Sequence, residues 1–224
     1  MAQDKLFVES EADAYFRRNP DSLVAVGSSV PTLAALALFD LPKQGTLLDI
    51  GGSTGLVAAG FLRDHPLWKA YVVEPSNEAI TAGQAAFPQV EFYQGTITRS
   101  LPPEISDSLC TVIVVSSVYH WIERSLLSRA IANTDSALAD EGYLVVADFD
   151  GPFPRANPYI HRPGLFTYKQ DYTSCFLALG IYHLVYRRSY ESGSASNPDD
   201  NYDRQWMTAV LRKDLDGRYA KPAR

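Results

Sequence analysis

Apolar residues along the chain recur first at helical spacing and then in short strand-like runs. "SEADAYFRRN" has acids in its first turn behind a candidate capping residue, Ser10, and predicts a helix ending at Asn19–Pro20. "PTLAALALF" predicts a second, mostly buried helix. From Thr46 onward, "TLLDI", "KAYVVEP", "QVEFYQG", "CTVIVVSS" and "GYLVVADF" read as strands. Between them, "TGLVAAGFLRDH" is a helix stopped by Pro66, "NEAITAGQAAF" is another, and "RSLLSRAIANTDSALAD" repeats Leu126, Leu127, Ala130, Ile131, Ala137 and Leu138 at helical spacing.

Strands that alternate with helices and are apolar on both faces imply a parallel sheet covered on both sides. The end of the chain differs. After a helix around Tyr172 to Leu179, "IYHLVYRRSY" and "RQWMTAVLRK" both alternate, separated only by the soft segment "ESGSASNPDDN". They are expected to pair as an antiparallel hairpin on the sheet edge. The fold class read from the pattern is therefore α/β: a Rossmann-like, seven-stranded, mostly parallel sheet with helices on both faces and a C-terminal antiparallel hairpin. Residues 1–224 form a single domain in this reading. It divides into an N-terminal helical cover (1–40), a core (46–148), a lid and helix (149–180) and the terminal hairpin (181–213).

Composition narrows the partners. The chain has 224 residues, 46% of them hydrophobic, enough for one sizeable core, and a formal net charge of −6. That charge argues against binding nucleic acid or an anionic membrane and favours a small-molecule substrate; a monomer or homodimer is expected. Cys110 and Cys175 lie in apolar contexts and read as core thiols of a reducing, cytoplasmic setting. Residues 1–9 are mixed in charge, unlike a signal peptide, and "VPTLAALALF" is too short to span a bilayer. No cluster has metal-ligand spacing, so no metal is expected.

Chemistry is expected first at "LLDIGGSTG", where a buried-looking strand ends in an acid and a glycine-rich turn follows, with Gly51, Gly52 and Gly55 allowing close approach to the backbone. In an open parallel sheet the ligand sits beyond the carboxyl ends of the strands, at the point where their order reverses. A nicotinamide dinucleotide would need G-x-G-x-x-G, which this spacing does not match, and Asp49 is an awkward neighbour for a pyrophosphate. An acid at that place suits a ligand with a cationic end.

The stretch resembles motif I of the class I S-adenosylmethionine-dependent methyltransferases, D-x-G-x-G-x-G: Asp49, Gly51 and Gly55 match, and Ser53 replaces the middle glycine. "YVVEPS" and "ALADEGYLVVADF" also resemble the family, and the resemblance covers roughly residues 46–213. It implies S-adenosyl-L-methionine as cofactor, held by Asp49, Gly51, Gly52, Ser53, Gly55, Glu74, Pro75, Thr96, Ile97 and Ser116. In that pattern Glu74 takes the ribose hydroxyls. Thr96 stands uncharged where the family often has an acid facing the adenine amino group. Without the family, Asp49 reads as a capping acid that organises the turn, and Glu74 as an exposed strand-end acid.

Methyl transfer from a sulfonium needs alignment and, for some acceptors, proton removal. His120, in "SSVYHWIER", is the candidate base, with Asp148 and His161 as further catalytic candidates. His120 and Trp121 could instead simply pack the start of the next helix. Tyr15, Arg18, Tyr119, Tyr159 and Tyr168 are candidate substrate-binding residues. The long Pro-, Gly- and aromatic-rich segment after the fifth strand reads as a mobile acceptor lid over residues 151–166, to which Asp150 and Lys169 would contribute. The reading is a methyltransferase acting on a small molecule, on a hydroxyl oxygen. The alternatives are a non-catalytic cofactor-binding partner subunit and a nicotinamide-dependent oxidoreductase.

Overall fold

A computed structural model describes residues 3–19, 26–191 and 204–217. Its strands, in chain order, are β1 (Thr46–Ile50), β2 (Lys69–Glu74), β3 (Glu91–Gln94), β4 (Cys110–Ser116), β5 (Leu138–Phe149), β6 (Arg155–Pro158), β7 (Phe166–Lys169), β8 (Tyr182–Glu191) and β9 (Gln205–Lys213). Its helices are α1 (Gln3–Leu6), α2 (Ala12–Arg18), α3 (Val26–Leu36), α4 (Leu56–Asp64), α5 (Asn77–Ala86), α6 (Pro103–Ser106), α7 (Leu127–Ala137) and α8 (Thr173–Leu177). None of the described helices is long and apolar enough to cross a membrane.

Seven strands form one sheet in the order β3-β2-β1-β4-β5-β9-β8. The first five are parallel, whereas β9 runs antiparallel to both β5 and β8. Alternate residues feed opposite cores. Leu48, Ile113 and Leu144 face Ile131 of α7 and Phe176 of α8, while Leu47, Val112 and Val145 face Leu36 of α3 and Phe61 of α4. Burial on both faces is what a continuous apolar run requires, and it explains why the central strands show no alternation. The chain order reverses between β1 and β4, which places the switch point at the end of the glycine-turn strand.

Several expectations change. The first helix begins at Gln3, and a π-helical turn, Phe7–Glu11, joins α1 to α2. Ser10 lies inside that turn and donates to the Leu6 carbonyl, so it is not an N-cap. β5 starts at Leu138, inside the segment read as helix. Leu138 pairs with Cys110, the register then shifts before Val112 meets Tyr143, and Lys213 Nζ holds the Leu138 carbonyl at 3.1 Å. The region read as a bare loop contains the antiparallel pair β6–β7. The soft segment between β8 and β9 lies, beyond Glu191, outside the described residues.

Candidate active site

The carboxyl ends of β1, β2, β3 and β4 open into a cavity of about 270 Å³. Its floor is the turn after β1 (Gly51, Gly52, Ser53) with Ser116 at the end of β4 and Val118 beyond it; one side is Glu74 and Pro75, and the far side is Thr96 to Thr98. The cavity is lined by three acids, Asp4, Asp49 and Glu74, and among the described residues by no lysine, arginine or histidine. A wall with that charge suits a cationic ligand and opposes a pyrophosphate.

Asp49 is 1% exposed, and its Oδ2 is buried with no hydrogen-bond partner. It lies directly beneath the turn: a Cβ on Gly52 would stand 2.5 Å from that oxygen, so only glycine lets the backbone pass so closely. Burial, helped by the Glu74 charge and opposed by a backbone N–H at Ala58, pushes the Asp49 carboxyl up to about 8. Glu74 is buried too. Its Oε2 accepts the Ser53 N–H at 3.0 Å and its Oε1 the Ser76 N–H at 2.9 Å. Burial outweighs these bonds, and with Asp13 nearby the carboxyl rises to about 7. Glu74 is therefore not an exposed strand-end acid; it ties the β1 and β2 turns together.

Ser53 adopts φ 51, the left-handed region glycine enters freely, so the departure from the glycine pattern is met by backbone strain. Gly55 does not line the cavity. Its φ of +77 and the Phe92 ring, which a Cβ would meet at 2.8 Å, make it a packing glycine at the start of α4.

The roof is the N-terminal segment, contributing Asp4, Phe7, Ala12, Tyr15 and Phe16. Asp13 accepts from Ser76 Oγ at 2.6 Å and from the Glu78 N–H at 3.2 Å, pinning α2 to the start of α5. Gln3 Nε2 donates to the Trp121 and Phe166 carbonyls at 2.7 and 2.8 Å, and its Oε1 accepts the Phe166 N–H at 3.0 Å. Trp121, also on the wall, packs against Phe7 and Tyr15 with ring centroids 5.2 and 5.9 Å away. Asp4, Phe7, Thr98, Trp121 and Ile122 were not singled out as binding residues by the sequence: residues 1–40 were expected to form a helical cover, but no local pattern shows which side chains of the cover and of the strand-end loops face the cavity.

The catalytic candidates lie elsewhere. His120 Nδ1 and Asp148 Oδ1 are 2.8 Å apart, and both residues are buried. The imidazole packs among Trp121, Phe149 and Trp206, one residue behind the cavity wall. Asp148 also accepts the Phe149 N–H, so it orients His120 and does not face the cavity. His161 is exposed and packs on Tyr159. Tyr119 is wholly buried, its hydroxyl 2.9 Å from Thr134 Oγ1, which makes it a core residue and not a substrate contact. Tyr168 stacks on Arg124 at 4.3 Å, away from the cavity. Arg18 binds buried Glu11 and donates to the Tyr159 hydroxyl at 3.1 Å, so this pair links the roof to the β6–β7 hairpin without lining the site. Asp150 is bound by Arg187 and Ser189. Among the described residues, no part of 149–180 lines the cavity; the roof is N-terminal, and the hairpin supports it from outside. No group of three or more potential metal-ligating side chains occurs among the described residues.

A family model described as a methyltransferase domain matches residues 26–191. A malonyl-[acyl-carrier protein] O-methyltransferase from Halalkalibacterium halodurans is 28% identical over 109 residues, covering 47% of this chain and only 39% of that protein. The fold is similar to that of a Burkholderia thailandensis 1,6-didemethyltoxoflavin-N1-methyltransferase solved with bound 1,6-didemethyltoxoflavin and S-adenosylhomocysteine, with a TM-score of 0.71 and 15% identity over 96% of this chain and 91% of that one. It is also similar to the N-methyltransferase NodS from Bradyrhizobium japonicum, solved with S-adenosylhomocysteine, with a TM-score of 0.55 and 17% identity over 83% and 98% of the two chains.

Proposed function

The chain belongs to the methyltransferase-domain family, and from that premise we propose that it transfers the methyl group of S-adenosylmethionine to a hydroxyl oxygen of a small, flat, aromatic acceptor. The observation that carries the reading is the cavity at the strand ends, lined by three acids and by no basic residue among those described. S-adenosylmethionine brings an already activated methyl group on a cationic sulfur. Everything else is asked of the chain: to bind, to orient and to exclude water.

The orphaned Asp49 Oδ2 and the raised Glu74 carboxyl fit a donor with a positive charge and two vicinal hydroxyls. Glu74 keeps acceptor capacity on each oxygen beyond the Ser53 and Ser76 N–H groups. The same acidic wall disfavours the dinucleotide alternative. Phe7, Tyr15, Phe16 and Trp121 form an apolar, aromatic roof suited to stacking on a planar acceptor.

A hydroxyl acceptor must lose its proton. In this proposal the acceptor reaches past Trp121, behind which the imidazole lies, and His120 takes the proton at Nε2 while Asp148 holds Nδ1 as a positioning residue. Following S-adenosylhomocysteine formation over a panel of phenolic and heteroaromatic acceptors tests this. His120→Asn is expected to slow transfer about 10²–10⁴-fold with cofactor affinity kept. Near-parent turnover in that variant would remove His120 from the reaction. Binding of S-adenosylhomocysteine with no turnover on any acceptor would favour the non-catalytic partner reading.

A further inference from the structure

The order of the strands says which wall a nucleoside donor meets with which end, and this inference rests on the cofactor reading above. With the ribose at Glu74 on β2 and the cationic end at the turn after β1, the base falls on the far side of β2, against the segment that follows β3. There the cavity presents Thr96, Ile97 and Thr98, with Asp4 reaching the same wall from the N-terminal roof.

The hydroxyls at this wall have a fixed direction. Thr98 Oγ1 donates to Asp4 Oδ1 at 2.8 Å. Thr96 Oγ1 and Thr98 Oγ1 are 2.7 Å apart. A hydroxyl has one proton, and that of Thr98 is committed to the carboxylate, so Thr98 must accept the proton of Thr96. Thr98 is 3% exposed, which leaves little room for water to substitute. The Thr96 proton is thus turned inward, and the cavity meets the oxygen lone pairs. Without the acid the threonine pair could run in either direction, and Thr96 could donate or accept.

We propose that Asp4 acts through Thr98 as a positioning residue that fixes Thr96 as a hydrogen-bond acceptor, so that the site selects a base carrying an exocyclic amino group over one carrying a carbonyl at that position, adenine over hypoxanthine. The relay gives the uncharged Thr96 the acceptor character of an acid. Because Asp4 arrives on the N-terminal roof, base selection and roof docking are linked, and each favours the other.

The test is calorimetric titration of S-adenosylhomocysteine and S-inosylhomocysteine into the parent, Asp4→Ala and Thr98→Val. The parent is expected to favour the adenosyl compound, and the ratio of the two affinities is expected to fall roughly tenfold in both variants, the worth of one hydrogen bond whose polarity is no longer imposed. Simple undocking of the roof would weaken both ligands together and leave the ratio unchanged. Thr98→Val keeps the side-chain shape and the Asp4 carboxyl while breaking the relay, so an unchanged ratio in that variant overturns the proposal. A parent that binds neither compound overturns the cofactor reading and the relay together; a parent that binds, with the same discrimination in all three proteins, overturns the relay alone.

Discussion

Asp49 and Glu74 are two buried carboxyls raised to about 8 and about 7, so without a cation beside them they hold their protons more tightly than in the unfolded chain, and a bound cation would draw those protons off. A raised carboxyl contributes stability that is full below its unfolded value, near 4, and is lost as pH climbs through the folded value. The thermal midpoint is therefore expected to fall between pH 5 and pH 8, and Asp49→Asn to flatten that fall; a variant with the parent's full pH slope would contradict the burial argument. Ser53 offers a second check. Its left-handed backbone costs roughly 1–2 kcal/mol for a non-glycine residue, against about 0.5–1 kcal/mol of added chain entropy for glycine. Ser53→Gly is expected to raise the melting temperature by about 1–3 °C, and a lowered melting temperature would show that the serine side chain supports the turn. These residues were legible in the sequence as a glycine turn and a strand-end acid. What the residues alone did not show is that Asp49 is sealed beneath Gly52, because that depends on how closely the turn closes over it.

At the scale of elements, the N-terminal helices matter more than their sequence suggested. Gln3 makes three hydrogen bonds that fasten α1 to Trp121 and to the start of β7. Gln3→Ala is expected to cost about 1 kcal/mol, since it leaves three part-buried backbone groups without their side-chain partner, and to speed amide exchange over residues 3–18. Unchanged protection there would mean that Asp13 and the aromatic contacts hold the roof alone. The central strands were readable because full burial writes itself as unbroken apolar runs. The Leu138 boundary was not. Its helical spacing continues past Ala137, and only pairing with Cys110 and the Lys213 contact turn the chain into β5. The β6–β7 hairpin was hidden for a different reason: four-residue strands among prolines and glycines carry no periodic signal.

For the molecule as a whole, the account has one sheet whose switch point opens a cavity with an acidic wall, an aromatic roof and a His120–Asp148 pair set behind it. The order of strands and helices could be read from hydrophobic periodicity, and so could the edge of the sheet where the cavity lies. Which side chains face it could not, since β6–β7 and the N-terminal segment were both plausible covers and only tertiary contacts choose between them. The central claim is that this cavity binds the donor with Glu74 on its ribose. Titration calorimetry of S-adenosylhomocysteine into the parent and into Glu74→Ala tests it most directly. The parent is expected to bind one equivalent saturably, and the variant to bind about 30–1,000-fold more weakly, as expected for losing about 2–4 kcal/mol of charge-assisted hydrogen bonding. Absence of binding by the parent, or equal affinity in the two proteins, would contradict it.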